Sequence, residues 1–172
     1  MNSSLEAKAS ALTNPKSGIA NDYLNHFNEI FLMVENFPIL LPEMIDEMSE
    51  WRPVSYVEYF EKSPLPGSAE ALRIYAGLDK NLRADFETMV ELLDGIVQGA
   101  IEVILSHLKP DGTIDPEGIE ETCAMYSADL RAVLDRTADL VNHGHAPPLE
   151  RPQHMADRLL LAAAQAHHKI VG

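Results

Sequence analysis

Apolar residues recur along most of this chain at three- and four-residue intervals, the spacing that lines side chains up on one face of an α-helix. From Asp22 to Phe37 they fall at Tyr23, Phe27, Ile30, Val34 and Phe37, with Leu24 and Phe31 widening the stripe. Pro38 and Pro42 interrupt the pattern, and Pro42 can open a short helix whose Met44, Ile45 and Met48 face inward. The next stretch, RPVSYVEYFEKSPLPGS, pairs Ser55 with Glu58 at capping-box spacing and puts Tyr56, Tyr59 and Phe60 on one helical face. Val54 to Phe60 resembles a strand in composition, but no partner strand is visible. Pro64, Pro66 and Gly67 end this element, and Ser68 can cap a following helix carrying Leu72, Tyr75 and Ala76.

Two long helices are predicted next. Asp79 to Leu108 sets Leu82, Phe86, Met89, Leu93, Ile96, Ala100 and Ile104 on one stripe. Lys109-Pro110-Asp111-Gly112 is a turn, Asp115 can cap, and Pro116 suits the first position of the second helix. The seam of that helix is Ile119, Cys123, Tyr126, Leu130, Val133, Thr137 and Leu140. Matched seams across a short turn predict an antiparallel hairpin. After the linker NHGHAPPLERP, Pro152 opens a last helix over 152–170. The expected fold is all-α: an up-and-down bundle of about four main helices, with short helices between the first and the central hairpin. Residues 1–20, broken by Asn14-Pro15 and Gly18, are expected to be poorly ordered, and 21–172 to form one helical-bundle domain.

Composition narrows the class. At 172 residues, 46% hydrophobic, the chain is long enough to bury a core without staples, and its single cysteine makes no internal disulfide. The longest apolar run, Leu159 to Ala164, is far below the roughly 20 residues of a membrane span, and no basic-then-apolar leader opens the sequence. A soluble, cytoplasmic protein is expected. The net charge of −14 argues against nucleic acid, whose phosphates need clustered Lys and Arg. Acid concentrates in residues 22–61, where nine carboxylates meet only Arg52. Residues 143–172 carry Arg151, Arg158 and Lys169 against Glu150 and Asp157, with five of the seven histidines. A solvated acidic face, or one that attracts a basic protein partner, follows from this asymmetry.

Candidate chemistry is sparse. His26 and Glu29 are three apart, yet His26 falls at the stripe edge and Glu29 further toward solvent. A di-iron bundle needs about four inward carboxylates and two histidines, and no second such pair occurs, so no metal or other cofactor is expected. Ser106-His107-Leu108-Lys109-Pro110 faintly resembles the histidine box of two-component sensor kinases over five residues. Those families, however, hold the histidine within a helix, whereas His107 ends one at a Pro-Gly turn, where a polar group suits the helix dipole. Gly95 and Gly99 form G-x-x-x-G on the face opposite the main stripe; close approach of another helix would compensate their cost, and the alternative is a simple bend in a long helix. The C-terminal histidines match no tetrahedral metal set. Cys123, on a core seam, reads as a small hydrophobe. No catalytic residue is assigned.

These absences, with the acidic surface, predict a non-enzymatic interaction or regulatory module. The last helix is apolar nearly all round its middle turns, and Leu159, Leu160, Leu161 and Ala164 are its candidate partner-binding residues. A homodimer through this helix is the expected assembly, and the alternative is that the helix lies buried in its own bundle as the fourth helix. The alternatives are a helical sensor domain holding a small apolar ligand near Trp51, Tyr56 and Tyr75, or an enzyme whose site lies in inward carboxylates of raised pKa.

Overall fold

The structure, a computed structural model, describes residues 12–37, 42–114 and 119–146. Among these residues the fold is all-helical, a helical bundle with no β-strand; Leu108 and Ile114 form one isolated bridge. A 3-10 turn at Asn21–Leu24 leads into α1 (Asn25–Glu35). Three short helices follow, α2 (Pro42–Glu50), α3 (Tyr56–Lys62) and α4 (Ser68–Ala76), and then the long pair α5 (Lys80–Ser106) and α6 (Ile119–His143).

The start signals act as the residue types predict at two helices. Ser55 Oγ accepts the Glu58 backbone N–H at 3.1 Å, so the segment from Val54 to Phe60 turns into α3 rather than a strand. Asp79 caps α5 by accepting from the N–H groups of Asn81 and Leu82. At α4 the expected cap moves. Ser68 is already helical, and its hydroxyl donates back to the Leu65 carbonyl; Gly67, at φ 90°, takes the N-cap position that a side chain would strain. The expected caps Asp115 and Pro116 lie outside the described residues.

The α5 and α6 seams both lie in the core: Phe86, Leu93, Ile96 and Ile104 face Ile119, Leu130, Val133 and Leu140, all nearly inaccessible. The two helices run in opposite directions. Glu102, near the end of α5, acts electrostatically on Tyr126 near the start of α6. At the other end Tyr23 meets Phe86 while Asn21 donates to Asn142 at 2.8 Å. Helix α1 lies along this hairpin, with Phe27, Ile30 and Val34 buried and Glu35 paired to Arg131 of α6. The connection after α5 closes as a turn, Lys109 N–H to Thr113 O at 2.7 Å, around Gly112 at φ 84°.

One inward assignment and one expectation of poor order need correcting. Met48 of α2 is fully buried, but Met44 points outward, 37% exposed, because a nine-residue helix at the bundle edge has only one covered face. Residues 12–20, expected to be poorly ordered, instead pack: Ile19 and Ala20 are fully buried, and Ser17 donates from its hydroxyl to the Val141 carbonyl. Gly18, at φ 76°, turns the chain so that this can happen. Residues 1–11 lie outside the described part, as do 152–170.

Candidate functional site

Two places on the molecule stand out, a nest of aromatic rings at one end and an open groove along α6. The nest is built from the 3-10 turn, α3, α4 and the start of α5. Tyr23 meets Phe27, Tyr56 and Tyr59 edge-on at 5.4–5.7 Å, and Tyr56 stacks on Tyr75 at 4.3 Å with Phe86 beneath. The hydroxyls are all engaged. Tyr23 donates to Val54 O at 2.6 Å, Tyr59 to Asp22 Oδ2 at 2.8 Å and Tyr75 to Glu87 Oε1 at 3.0 Å, while Tyr56 accepts the Ala20 N–H at 3.0 Å. Burial holds each of these phenols protonated well beyond neutral pH, with Tyr56 pushed up to about 12. Trp51, Tyr56 and Tyr75, the residues expected near a ligand pocket, thus fill the space with one another's rings or with His26.

His26 is half-buried at the core margin, where the sequence puts it. Its ring stacks on Trp51 at 4.9 Å and 17°, and its carbonyl accepts the indole N–H at 3.4 Å. Its Nε2 is shut off from solvent without a hydrogen-bond partner, while the ring makes a hydrogen bond with the backbone of Arg52. Burial, helped by the nearby positive charge of Arg52, pushes its pKa below the ordinary value, which keeps the ring neutral. Glu29 is exposed. Among the described residues no three His, Cys, Asp or Glu side chains gather closely enough to hold a metal ion.

The groove lies between the end of α1 and the outer face of α6 and encloses about 680 Å³. Ala124, Ala128 and Ala132, four apart, line it together with Cys123, and all three alanines are exposed. Its rim is charged, with Glu35, Glu120 and Asp135 facing one cation, Arg131. Arg131 reaches Glu35 and lies 5.1 Å over the Phe31 ring, so the cation is engaged within the fold. Cys123, only 3% exposed, has its thiol pushed up to about 11 by burial and is protonated at neutral pH, as its place on the seam predicts. This arrangement offers shape, small apolar side chains and negative charge. It holds no nucleophile with an adjacent base.

Elsewhere, His107 closes α5 with Nδ1 2.8 Å from the Val103 carbonyl, a helix-end contact. Asp94, whose carboxyl oxygen Oδ1 is buried without a partner, has its pKa raised to about 6 by desolvation and then by Glu91. Sequence reasoning missed both the groove and Asp94. The Ala124–Ala128–Ala132 spacing was a legible signal for the groove, since three alanines on the outward side of a helix leave room above them. Asp94 carried no signal, because its burial depends on the neighbours brought over it. The predicted partner-binding residues Leu159, Leu160, Leu161 and Ala164 lie outside the described residues.

No helix of the described part is long and apolar enough to cross a membrane. No protein-family model matches this sequence, and comparison with the curated proteins and with the solved structures returns no match.

Proposed function

We propose that this protein is a non-enzymatic interaction or regulatory module of the cytoplasm, homodimeric, whose acidic surface receives a basic segment of a protein partner. The α1–α6 groove supports this reading. Alanines at three successive turns let a partner helix or strand approach the α6 backbone closely, and the carboxylates of Glu35, Glu120 and Asp135 favour Lys or Arg at the rim. An overall charge of −14 extends that attraction beyond contact distance and speeds encounter with a basic partner at low salt. The homodimer rests on the apolar C-terminal segment, whose Leu159, Leu160, Leu161 and Ala164 offer more apolar surface than one neighbour can cover.

The test compares the immobilised full chain with an Ala128→Trp variant, which fills the groove from its floor. A partner enriched in Lys and Arg should be captured from native lysate by the parent, released between low and moderate salt, and lost from the variant. Capture that is equal for both proteins and indifferent to salt would refute the groove as its seat. Light scattering checks the assembly, and a monomeric mass at tens of micromolar would exclude the homodimer.

A further inference from the structure

Helix α2 is weakly anchored by its own side chains. Of those described only Met48 is buried, and Glu43, Asp46, Glu47 and Glu50 give the helix a strongly acidic outer surface. The chain then runs from Trp51 to Ser55 to reach α3, and this strap is fixed at two points. At its far end the Tyr23 hydroxyl donates to the Val54 carbonyl at 2.6 Å. At its near end, one residue beyond α2, the Trp51 ring lies on the His26 ring at 4.9 Å and 17°. The indole N–H reaches the His26 carbonyl at 3.4 Å, and the His26 ring is hydrogen-bonded to the Arg52 backbone. These contacts converge on one residue of α1 that can change its charge.

We propose that the His26–Trp51 stack is an acid-sensitive latch: a proton on His26 Nε2 releases Trp51 and, with it, helix α2 from the bundle. Nε2 is shut off from solvent without a hydrogen-bond partner. A neutral imidazole tolerates this as an unused acceptor, but an imidazolium would leave a second, charged N–H buried and unpaired. The ring can bring that N–H to water only by turning out of its stack with Trp51. Release uncovers Met48 and the faces of α1 and α5 on which α2 packs.

The surroundings keep the latch shut at neutral pH. Burial first, and then the Arg52 guanidinium, hold the His26 pKa below its ordinary 6.5, against the opposing pull of the Arg52 backbone bond and of Glu58 on α3. Glu58 is itself paired with Arg52 and Lys62. Asp22 accepts from the Tyr59 hydroxyl, Asp94 of α5 acts on Tyr23, and Glu29 of α1 with Glu47 and Glu50 of α2 are exposed. A released His26 takes up its proton at a higher pH than a docked one. Docking therefore loses stability as pH falls below 6.5, and the loss is complete only below the docked pKa.

Trp51 is the chain's only tryptophan, so its emission reads the latch directly. Between about pH 7.5 and 5 the emission of the full chain should shift to the red while most of the far-UV helical signal stays. The shift should be lost in His26→Phe, which keeps a ring against the indole and takes no proton. It should be kept in Asp94→Asn, which removes the carboxyl that titrates at about 6. The opposite result in either variant, no shift in the parent, or a shift that accompanies loss of most of the helix would overturn the proposal. So would quenching without a shift, since the imidazolium would then stay on the indole as a cation–π pair. Should His26→Phe fail to fold, hydrogen exchange on the parent decides. Corrected for the intrinsic effect of pH, the amides of residues 46–50 should open at least about tenfold more at about pH 5 than at about pH 7.5, while those of α6 keep their protection. No added opening at 46–50, or equal opening of α6, would overturn the latch.

Discussion

The aromatic nest and the α6 groove are made of opposite materials. In the nest, large rings interlock and each tyrosine hydroxyl is committed to a partner in the same fold, so a change of one ring is felt by several others. Along the groove, the side chains stop at a methyl group over three turns, and the charges stand at the rim rather than in the floor. Rings that satisfy one another leave nothing for a ligand to add. A face of alanines contributes little to its own fold and leaves contact area for something else. Burial and hydrogen bonding thus mark the nest as scaffold, while the exposed alanines leave the groove open.

The sharpest way to break this contrast is Phe86→Ala. Phe86 is fully buried beneath Tyr23, Tyr56 and Tyr75, so its loss should cost about 3–5 kcal/mol in urea unfolding. A cost below about 1 kcal/mol would mean that the nest repacks freely. Asp94→Asn comes next and acts in the opposite direction. The folded carboxyl titrates at about 6, above its ordinary 3.8. The folded state therefore holds more protons than the unfolded one across that window, and stability falls as pH rises through it, the deficit being complete at pH 7. The amide removes the buried charge and should stabilise by on the order of 2 kcal/mol at pH 7, after allowance for partial solvation. Below about pH 4 it should give no gain. Thermal unfolding of both proteins at pH 4 and 7 checks the slope.

Tyr56→Phe keeps the ring and removes the acceptor of the buried Ala20 N–H. A loss of about 1–2 kcal/mol is expected, measured by denaturant titration. The groove should respond least. Arg131→Ala removes an exposed ion pair with Glu35 and should cost under about 1 kcal/mol. Ala128→Trp, added to an open face, should move stability by no more than about 0.5 kcal/mol while abolishing partner capture. If Ala128→Trp destabilised the protein as Phe86→Ala does, the groove would belong to the core and the contrast would fall.

How far the sequence could be read differs between these regions for a physical reason. The α5 and α6 seams were legible because a long helix packed along its length must keep its apolar residues on one face, and periodicity records that. Ser55 and Asp79 were legible because a cap is a local bond between a side chain and a backbone N–H two or three residues on. Ser68 was misplaced by one position, since Gly67 offers a backbone alternative that residue type alone does not rank. Residues 12–20 misled for a different reason. Their Asn-Pro and Gly punctuation looks like a frayed end, yet Ser17 is held by the Val141 carbonyl 124 residues on and Ala20 by the Tyr56 hydroxyl 36 residues on, partners that only the fold brings near.

The helical class, the long hairpin and the acidic character were determined by the sequence itself, because periodicity, turn chemistry and net charge are each properties of neighbouring residues or of their sum. Which residues guard a proton, and which face stays open, were decided only by the tertiary structure. Asp94 is an ordinary carboxylate until the fold removes its water, and His26 is an ordinary imidazole until Trp51 lies flat against it. Ala124, Ala128 and Ala132 are good helix formers anywhere, and they become a groove floor only because the end of α1 raises a wall beside them.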